Sequence, residues 1–340
     1  MATIETYRDR ADWIGARGTG IGSSDAPVIL GLSKWKSPVA LYYEKRGLRE
    51  PSHGESEYME WGLALEPAII AGYERITKRR VADPTFLFDH FAPEVRYTLA
   101  RDTDLPYLVA SPDAAVQPIV DRSAEGGLDA SAHEVAAPPV FGEPGVLEVK
   151  NVDVSKGKLW DEAQEPPIEY IVQVQHQLMV TGAQWGSIAA LVGGNRFLWA
   201  DVKRDDELIA MIRKLEVEFW TACLKGEAPP IDGSESTKDV LARLYPKDTG
   251  EVIQLPEEAF EWDRQSRLAS KTMKEAKKQK QEADNKLRAA IGDATVGLLY
   301  PNGFLTYSWR YQKRKAHQVK ESEFRVLRRH GADDDLEDEE

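Results

Sequence analysis

The stretch "GVLEVKNVD", residues 145–153, limits what this chain can fold into more than any other. Apolar residues bounded by turn formers predict a strand. Side chains alternate along a strand, so Glu148 and Lys150 share one face while Leu147 and Val149 share the other. A carboxylate and an ammonium on an apolar strand are costly to bury unless a partner, a metal or a substrate meets them. Two readings fit. One is a surface salt bridge between Glu148 and Lys150 on an edge strand, since E-x-K alone is too short to decide. The other draws on "SPDAAV", residues 111–116. Asp113 beside Glu148 would make a hard-oxygen site suited to Mg²⁺, with the Val149 carbonyl as a third protein ligand and water and phosphate oxygens completing the octahedron. Lys150 would then orient or deprotonate an attacking water and offset charge on a phosphate.

Composition narrows the choice. A chain of 340 residues with 42% hydrophobic and 30% charged residues is ordinary soluble globular material with room for one large core or two smaller ones. Cys223 is the only cysteine, which excludes internal disulfides, cysteine-rich zinc sites and a four-cysteine iron–sulfur cluster. With no signal-peptide pattern and no apolar run of membrane-spanning length, a reducing cytoplasm away from the membrane is the expected location. The net charge of −13 weighs against a broad nucleic-acid surface, but seven of those negatives lie at Asp333–Asp335 and Glu337–Glu340. Any contact with a polyanion must therefore be local.

Along the chain, periodicity predicts helices over 3–14, 37–48 and 58–79, the last bent at Pro67. Strands are expected at 89–99, 107–117 and 145–153, with a loop at 118–145. A helix over 169–182 ends at Gly182, and a hairpin over 186–204 turns at Gly193-Gly194-Asn195. A long amphipathic helix over 205–226 follows. The expected organisation is an α/β core over 1–230, a central mixed sheet flanked by helices. A polar linker at 231–256, an accessory helix with two strands at 257–325 and an acidic tail at 326–340 complete the chain.

Two helices bring polar residues toward this core. Glu66 shares a helical face with Ile69, Ile70 and Tyr73, and Gln175 falls between Ile171, Leu178 and Met179. Each is either a rim position that escapes to solvent or a buried group needing a partner such as a metal and its water. His176 lies on the opposite side, solvated or locally hydrogen-bonded. "ARGTGIGSSDAPVILGLSKW", residues 16–35, likewise has two readings. It is a glycine-rich turn in which Ser23 or Ser24 caps a helix with Asp25 and Pro27 in its first turn, or it is a place where an anion sits.

Taken in order, "RGTGIGSS", "GLALE", "SPD", "LEVK" and "YIVQVQ" resemble the motifs of the YqaJ-type viral recombinase family, the phage lambda exonuclease family of the PD-(D/E)xK nuclease superfamily, over residues 1–225. The resemblance implies a restriction-endonuclease-like core. It also implies that Asp113, Glu148 and the Val149 carbonyl hold Mg²⁺, with Mn²⁺ able to substitute, two ions per site, and Glu66 acting through water. Lys150 would be the catalytic lysine, supported by Glu66 and Gln175. Arg17, Ser24 and Ser111 would bind a DNA 5′-phosphate. Lys34, Trp35 and Lys36 would meet the DNA end, unless Trp35 packs on the core between two solvated lysines.

The implied activity is that of a Mg²⁺-dependent 5′-to-3′ exodeoxyribonuclease on linear double-stranded DNA. It would leave 3′ single-stranded overhangs for a single-strand annealing protein in phage-type recombination, and by resemblance it would work as a toroidal trimer. The rivals are a PD-(D/E)xK endonuclease and a non-catalytic scaffold that binds DNA ends.

Overall fold

The computed structural model describes residues 2–48, 57–88, 97–118, 142–163, 165–299 and 306–313. The chain divides into two units, Met1–Leu244 and Tyr245–Glu340.

In the first unit, β1 (Ala2–Tyr7) and α1 (Arg10–Gly18) replace the single helix expected over 3–14. The β-branched run Thr3, Ile4 and Thr6 favours extended backbone. Asp9 then caps α1, accepting the Ala11 N–H at 2.7 Å. After α2 (Ala26–Ile29) and α3 (Pro38–Lys45), the 21-residue α4 (Glu57–Thr77) runs on through Pro67. β2 (Val81–Ala82) leads to β3 (Tyr97–Asp102), which pairs antiparallel with β1. Residues 89–96 of the first expected strand, like most of the expected loop at 118–145, lie outside the described residues.

The strand expected over 107–117 is two strands, β4 (Val109–Ala110) and β5 (Ala114–Val116). They belong to different sheets. β4 joins the three-stranded β1-β3-β4 sheet, and β5 joins a five-stranded one. Pro112 between them cannot donate to a ladder, and Ser111-Pro112-Asp113 carries the chain across. The five-stranded sheet continues with β6 (Gly145–Val152), the helices α5 (Val154–Ala163) and α6 (Ile168–Thr181), then β7 (Trp185–Val192) and β8 (Arg196–Lys203). Its order is β2-β5-β6-β7-β8; β6 and β7 are parallel and the other pairs antiparallel. The α/β class with a central mixed sheet is therefore as expected. α6 ends at Gly182, whose φ of +81° suits glycine.

Burial follows the strand alternation of β6. Leu147 and Val149 pack with Ile69 and Tyr73 of α4 on one face, and Val146 packs with Val174 and Leu178 of α6 on the other. Glu148 and Lys150 share the face of Val146, so α6 is the helix laid over them. Next, α7 (Asp206–Lys225) is capped by Asp205 and closed by Gly226. The stretch expected to be a linker holds α8 (Glu235–Leu244), whose buried Val240 and Thr237 belong to this first unit. Thr237 donates to the Ser37 hydroxyl at 2.8 Å.

The second unit contains α9 (Ala259–Ile291), a 33-residue helix with no buried residue, and the antiparallel pair β9 (Val296–Leu298) and β10 (Thr306–Ser308). Of the segment expected as an accessory helix with two strands, 257–325, residues 257–299 and 306–313 are described. The acidic tail lies outside the described residues. Among those described, no helix is long and apolar enough to cross a membrane.

Candidate active site

Asp113 stands just before β5, where the ladder between β5 and β6 ends at Ala114 and Leu147. Its Oδ2 accepts the Val149 N–H at 2.7 Å, taking the place of a strand partner. A strand residue sends its N–H and C=O to the same side, so the Val149 carbonyl faces the same gap. Glu148 is 3% exposed. Its Oε1 accepts Lys150 Nζ at 2.5 Å and Gln173 Nε2 at 2.5 Å, and its Oε2 accepts Gln177 Nε2 at 2.6 Å. Lys150 also donates to Gln173 Oε1 at 2.9 Å, and its ammonium lies 5.4 Å from the centre of the Tyr170 ring. The pair thus lies on an interior strand rather than an edge, with Glu148 buried and Lys150 half-buried.

Crowding of carboxylates shows in their proton affinities. Burial, with the Glu148 charge beside it, pushes Asp113 well above the usual carboxylate range. Glu66 on α4 is raised too, by burial and then by Glu148. Among the described residues no three His, Cys, Asp or Glu side chains converge at metal-ligand spacing. The site offers two carboxylates and a carbonyl, with Glu66 near enough for its charge to act on Asp113 and for that of Glu148 to act on it. That all-oxygen set, its excess negative charge and the unpartnered buried Oε1 of Gln177 suit a cation that keeps several waters, as Mg²⁺ does.

Gln175 does not reach this cluster. Its amide donates to the Lys203 carbonyl at 2.7 Å, and its Oε1 accepts the Asp205 N–H at 3.0 Å, so it joins the end of β8 to the start of α7. The helical groups that hold Glu148 and Lys150 are Tyr170, Gln173 and Gln177 instead. Their spacing of three and seven residues marks one helical face, a signal that the apolar stripe through Gln175 obscured. His176 is fully buried rather than solvated. Its Nδ1 lies 2.7 Å from Glu216 Oε1 and its Nε2 lies 2.9 Å from the Val109 carbonyl.

The glycine-rich stretch lies along β4. Ile21 donates to the Tyr107 carbonyl at 2.6 Å and accepts the Val109 N–H at 2.9 Å. Gly20 is required there, because a Cβ would sit 2.3 Å from the Tyr107 oxygen. The close approach at Gly20 is to the Tyr107 backbone. Neither Ser23 nor Ser24 caps a helix: α2 is a single turn that starts after Asp25. Asp25 accepts the Gly22 N–H at 3.0 Å and pairs with Lys45 at 2.7 Å. Ser24 is exposed and accepts Arg17 Nη2 at 3.2 Å, and the Arg17 guanidinium lies 5.1 Å from the Trp13 ring centre. Trp13 in turn stacks on Tyr97 at 5.2 Å, a platform that sequence spacing does not reveal. Ser111, two residues past the Val109 that donates to Ile21, donates to the Thr98 carbonyl at 2.5 Å. Trp35 is 85% exposed rather than packed on the core, while Lys36 pairs with Glu44 at 2.8 Å and Lys34 is exposed.

The chain is thus a mixed α/β protein with buried Glu148 and half-buried Asp113, Glu66 and Lys150 gathered where the β5–β6 ladder ends. It belongs to the family of YqaJ-like viral recombinase domains, whose profile matches residues 12–184. It is 33% identical over 294 residues to a Bacillus subtilis (strain 168) relative described as "Uncharacterized protein YqaJ", covering 85% of this chain and 81% of that one. Among solved structures, an alkaline exonuclease from Laribacter hongkongensis, also crystallised with dAMP, is similar at a TM-score of 0.45 and 20% identity, over 69% of this chain and 99% of its own. A phage-related exonuclease from Haemophilus somnus 129PT is similar at a TM-score of 0.37 and 11% identity, over 66% and 96%.

Proposed function

We propose that this protein is a Mg²⁺-dependent 5′-to-3′ exonuclease on linear double-stranded DNA, leaving 3′ overhangs for a single-strand annealing partner. The observation that carries the reading is the meeting of Asp113, Glu148 and Lys150 around the Val149 peptide, within a chain of the YqaJ-like viral recombinase family. Asp113, Glu148 and the Val149 carbonyl would hold the cation, with Glu66 reaching it through water. Bound there, Mg²⁺ supplies a lowered pKa for water and a counter-charge for the phosphodiester.

The chain's own groups do the rest. Gln173 and Gln177 fix the Glu148 carboxylate by amide donation. Lys150 is held on three sides, by Glu148, Gln173 and Tyr170, so its ammonium is directed before substrate arrives. There it orients the attacking water and balances the charge that grows on the phosphate oxygens. Arg17 and Ser24 bind the terminal 5′-phosphate, guanidinium and hydroxyl together, with Ser111 as a further contact. The exposed Trp35 offers a stacking face at the DNA end.

The test is a Mg²⁺ time course on end-labelled linear duplex with 5′-phosphate or 5′-hydroxyl ends, beside a closed circle. Mononucleotides released from 5′ ends, faster from phosphorylated ones, with the circle intact, are the expected result. Cleavage of the circle would make the protein an endonuclease. Binding of ends without product in Mg²⁺ or Mn²⁺ would make it a scaffold.

A further inference from the structure

We infer that His176, with Glu216, is a positioning pair that bolts β4 to α6 and so sets the spacing between the terminal-phosphate pocket and the carboxylate cluster; this rests on the reading of the pocket proposed above. Both residues are 0% exposed. Two acceptors, the Glu216 carboxylate and the Val109 carbonyl, face the two ring nitrogens. A neutral imidazole has one N–H, so the pair keeps a second proton in the core. Two leucines of similar bulk would fill the space and remove both members of the ion pair together, leaving no buried charge unpaired. What leucines cannot do is donate to Val109.

Val109 is a crossing point. Its N–H goes to Ile21, in the stretch between Arg17 and Ser24, and its C=O goes to His176. Two residues on, Ser111 is fastened to β3 through the Thr98 carbonyl. α6 therefore holds Glu148 through Gln173 and Gln177 and holds the strand bearing the phosphate pocket through His176. Asp113 is anchored separately, by the Val149 N–H and by the pairing of β5 with β6. Loss of the His176 bond would thus move the pocket and leave the carboxylates in place. The charged groups around the pair are Glu216 itself, from α7, and Asp25 before α2, whose charge is met by Lys45 of α3.

The experiment compares wild type, His176→Leu/Glu216→Leu and His176→Gln/Glu216→Leu. The Gln variant restores a donor toward Val109 without the charge. Amide hydrogen exchange is measured in the Mg²⁺-free proteins, and kcat and KM on 5′-phosphate and 5′-hydroxyl ends. In the double leucine variant, protection of the Ile21 and Val109 amides should fall roughly tenfold or more, as for a lost hydrogen bond of about 1.4 kcal/mol. Protection in β6 and β7 should hold. Phosphate preference should shrink toward one through a raised KM on phosphorylated ends, with kcat on hydroxyl ends nearly unchanged, and the glutamine variant should recover both. Unaltered exchange at Ile21 and Val109, or no recovery with glutamine, would overturn the inference and leave the pair as core packing. A wild type without phosphate preference whose leucine variant still loses exchange protection would refute the pocket and keep the bolt.

Discussion

The Asp113 carboxylate accepts the backbone N–H of Val149 at 2.7 Å, across the gap where the β5–β6 ladder has just ended. One oxygen of the side chain thus does the work of a strand neighbour and pins the carboxylate beside Glu148. The arrangement crowds two carboxylates together, a strain that the proposed cation would relieve.

That strain has a sign. Asp113 is raised by burial and by Glu148, so the folded chain holds a proton there that the unfolded chain releases at an ordinary value of about 3.9. Metal-free stability therefore falls as pH rises from there through the raised value. Asp113→Asn, which keeps an oxygen for Val149, should abolish hydrolysis, raise the metal-free Tm at pH 7.5 and flatten that pH dependence. Mg²⁺ should raise the wild-type Tm and leave the variant unmoved. Calorimetry showing a lower variant Tm together with a wild type indifferent to Mg²⁺ would refute the cation site.

Lys150→Met keeps the length of the side chain and removes its charge. DNA affinity should change little, while single-turnover cleavage slows by roughly a hundredfold or more, in the range for loss of a group that acts in the transition state. A raised KM at constant kcat would instead make Lys150 a binding residue.

Gln177 and Gln175 separate two roles on one helix. Gln177→Leu strips Glu148 Oε2 of its donor, a loss of about 1–3 kcal/mol. Activity should drop roughly tenfold to hundredfold if that is spent on positioning the carboxylate. Gln175→Leu breaks the join between β8 and α7, so it should lower Tm and spare kcat. The reverse pattern would restore Gln175 to the site.

Arg17→Ala removes the one group that both grips Ser24 and rests on Trp13. A charge-assisted contact to phosphate is worth about 1.5–3 kcal/mol, so the preference for phosphorylated ends should fall roughly tenfold to hundredfold. Ser24→Ala should do the same more weakly and leave Tm unchanged, because Ser24 caps no helix. Paired rates on the two ends at fixed salt decide it. An undiminished preference in Arg17→Ala would make this stretch an ordinary turn.

Residues 1–244 should fold alone and keep hydrolysis, since every site group lies within the first unit. A chain cut at 230 should be less stable by several degrees, having lost α8 and the bond from Thr237 to Ser37. Equal melting of the two would deny α8 a place in the core.

The sequence by itself determined what local chemistry can determine. Alternation in "LEVK" put Glu148 and Lys150 on one face, Gly182 and Gly193-Gly194-Asn195 marked a helix end and a hairpin, and the ordered motifs identified the family. Tertiary structure decided the rest, because strand neighbours and helix faces are chosen by packing at long sequence separation. The residue opposite a strand end is invisible to periodicity, and so Val149 as the partner of Asp113 was not legible. Helical spacing alone lays out several faces of α6. Only the sheet beneath it showed that Gln173 and Gln177, not Gln175, look down on Glu148. His176 gave no sign of its setting either: a lone histidine on a helix becomes a buried, doubly bonded group only when β4 and α7 close over it from 67 and 40 residues away.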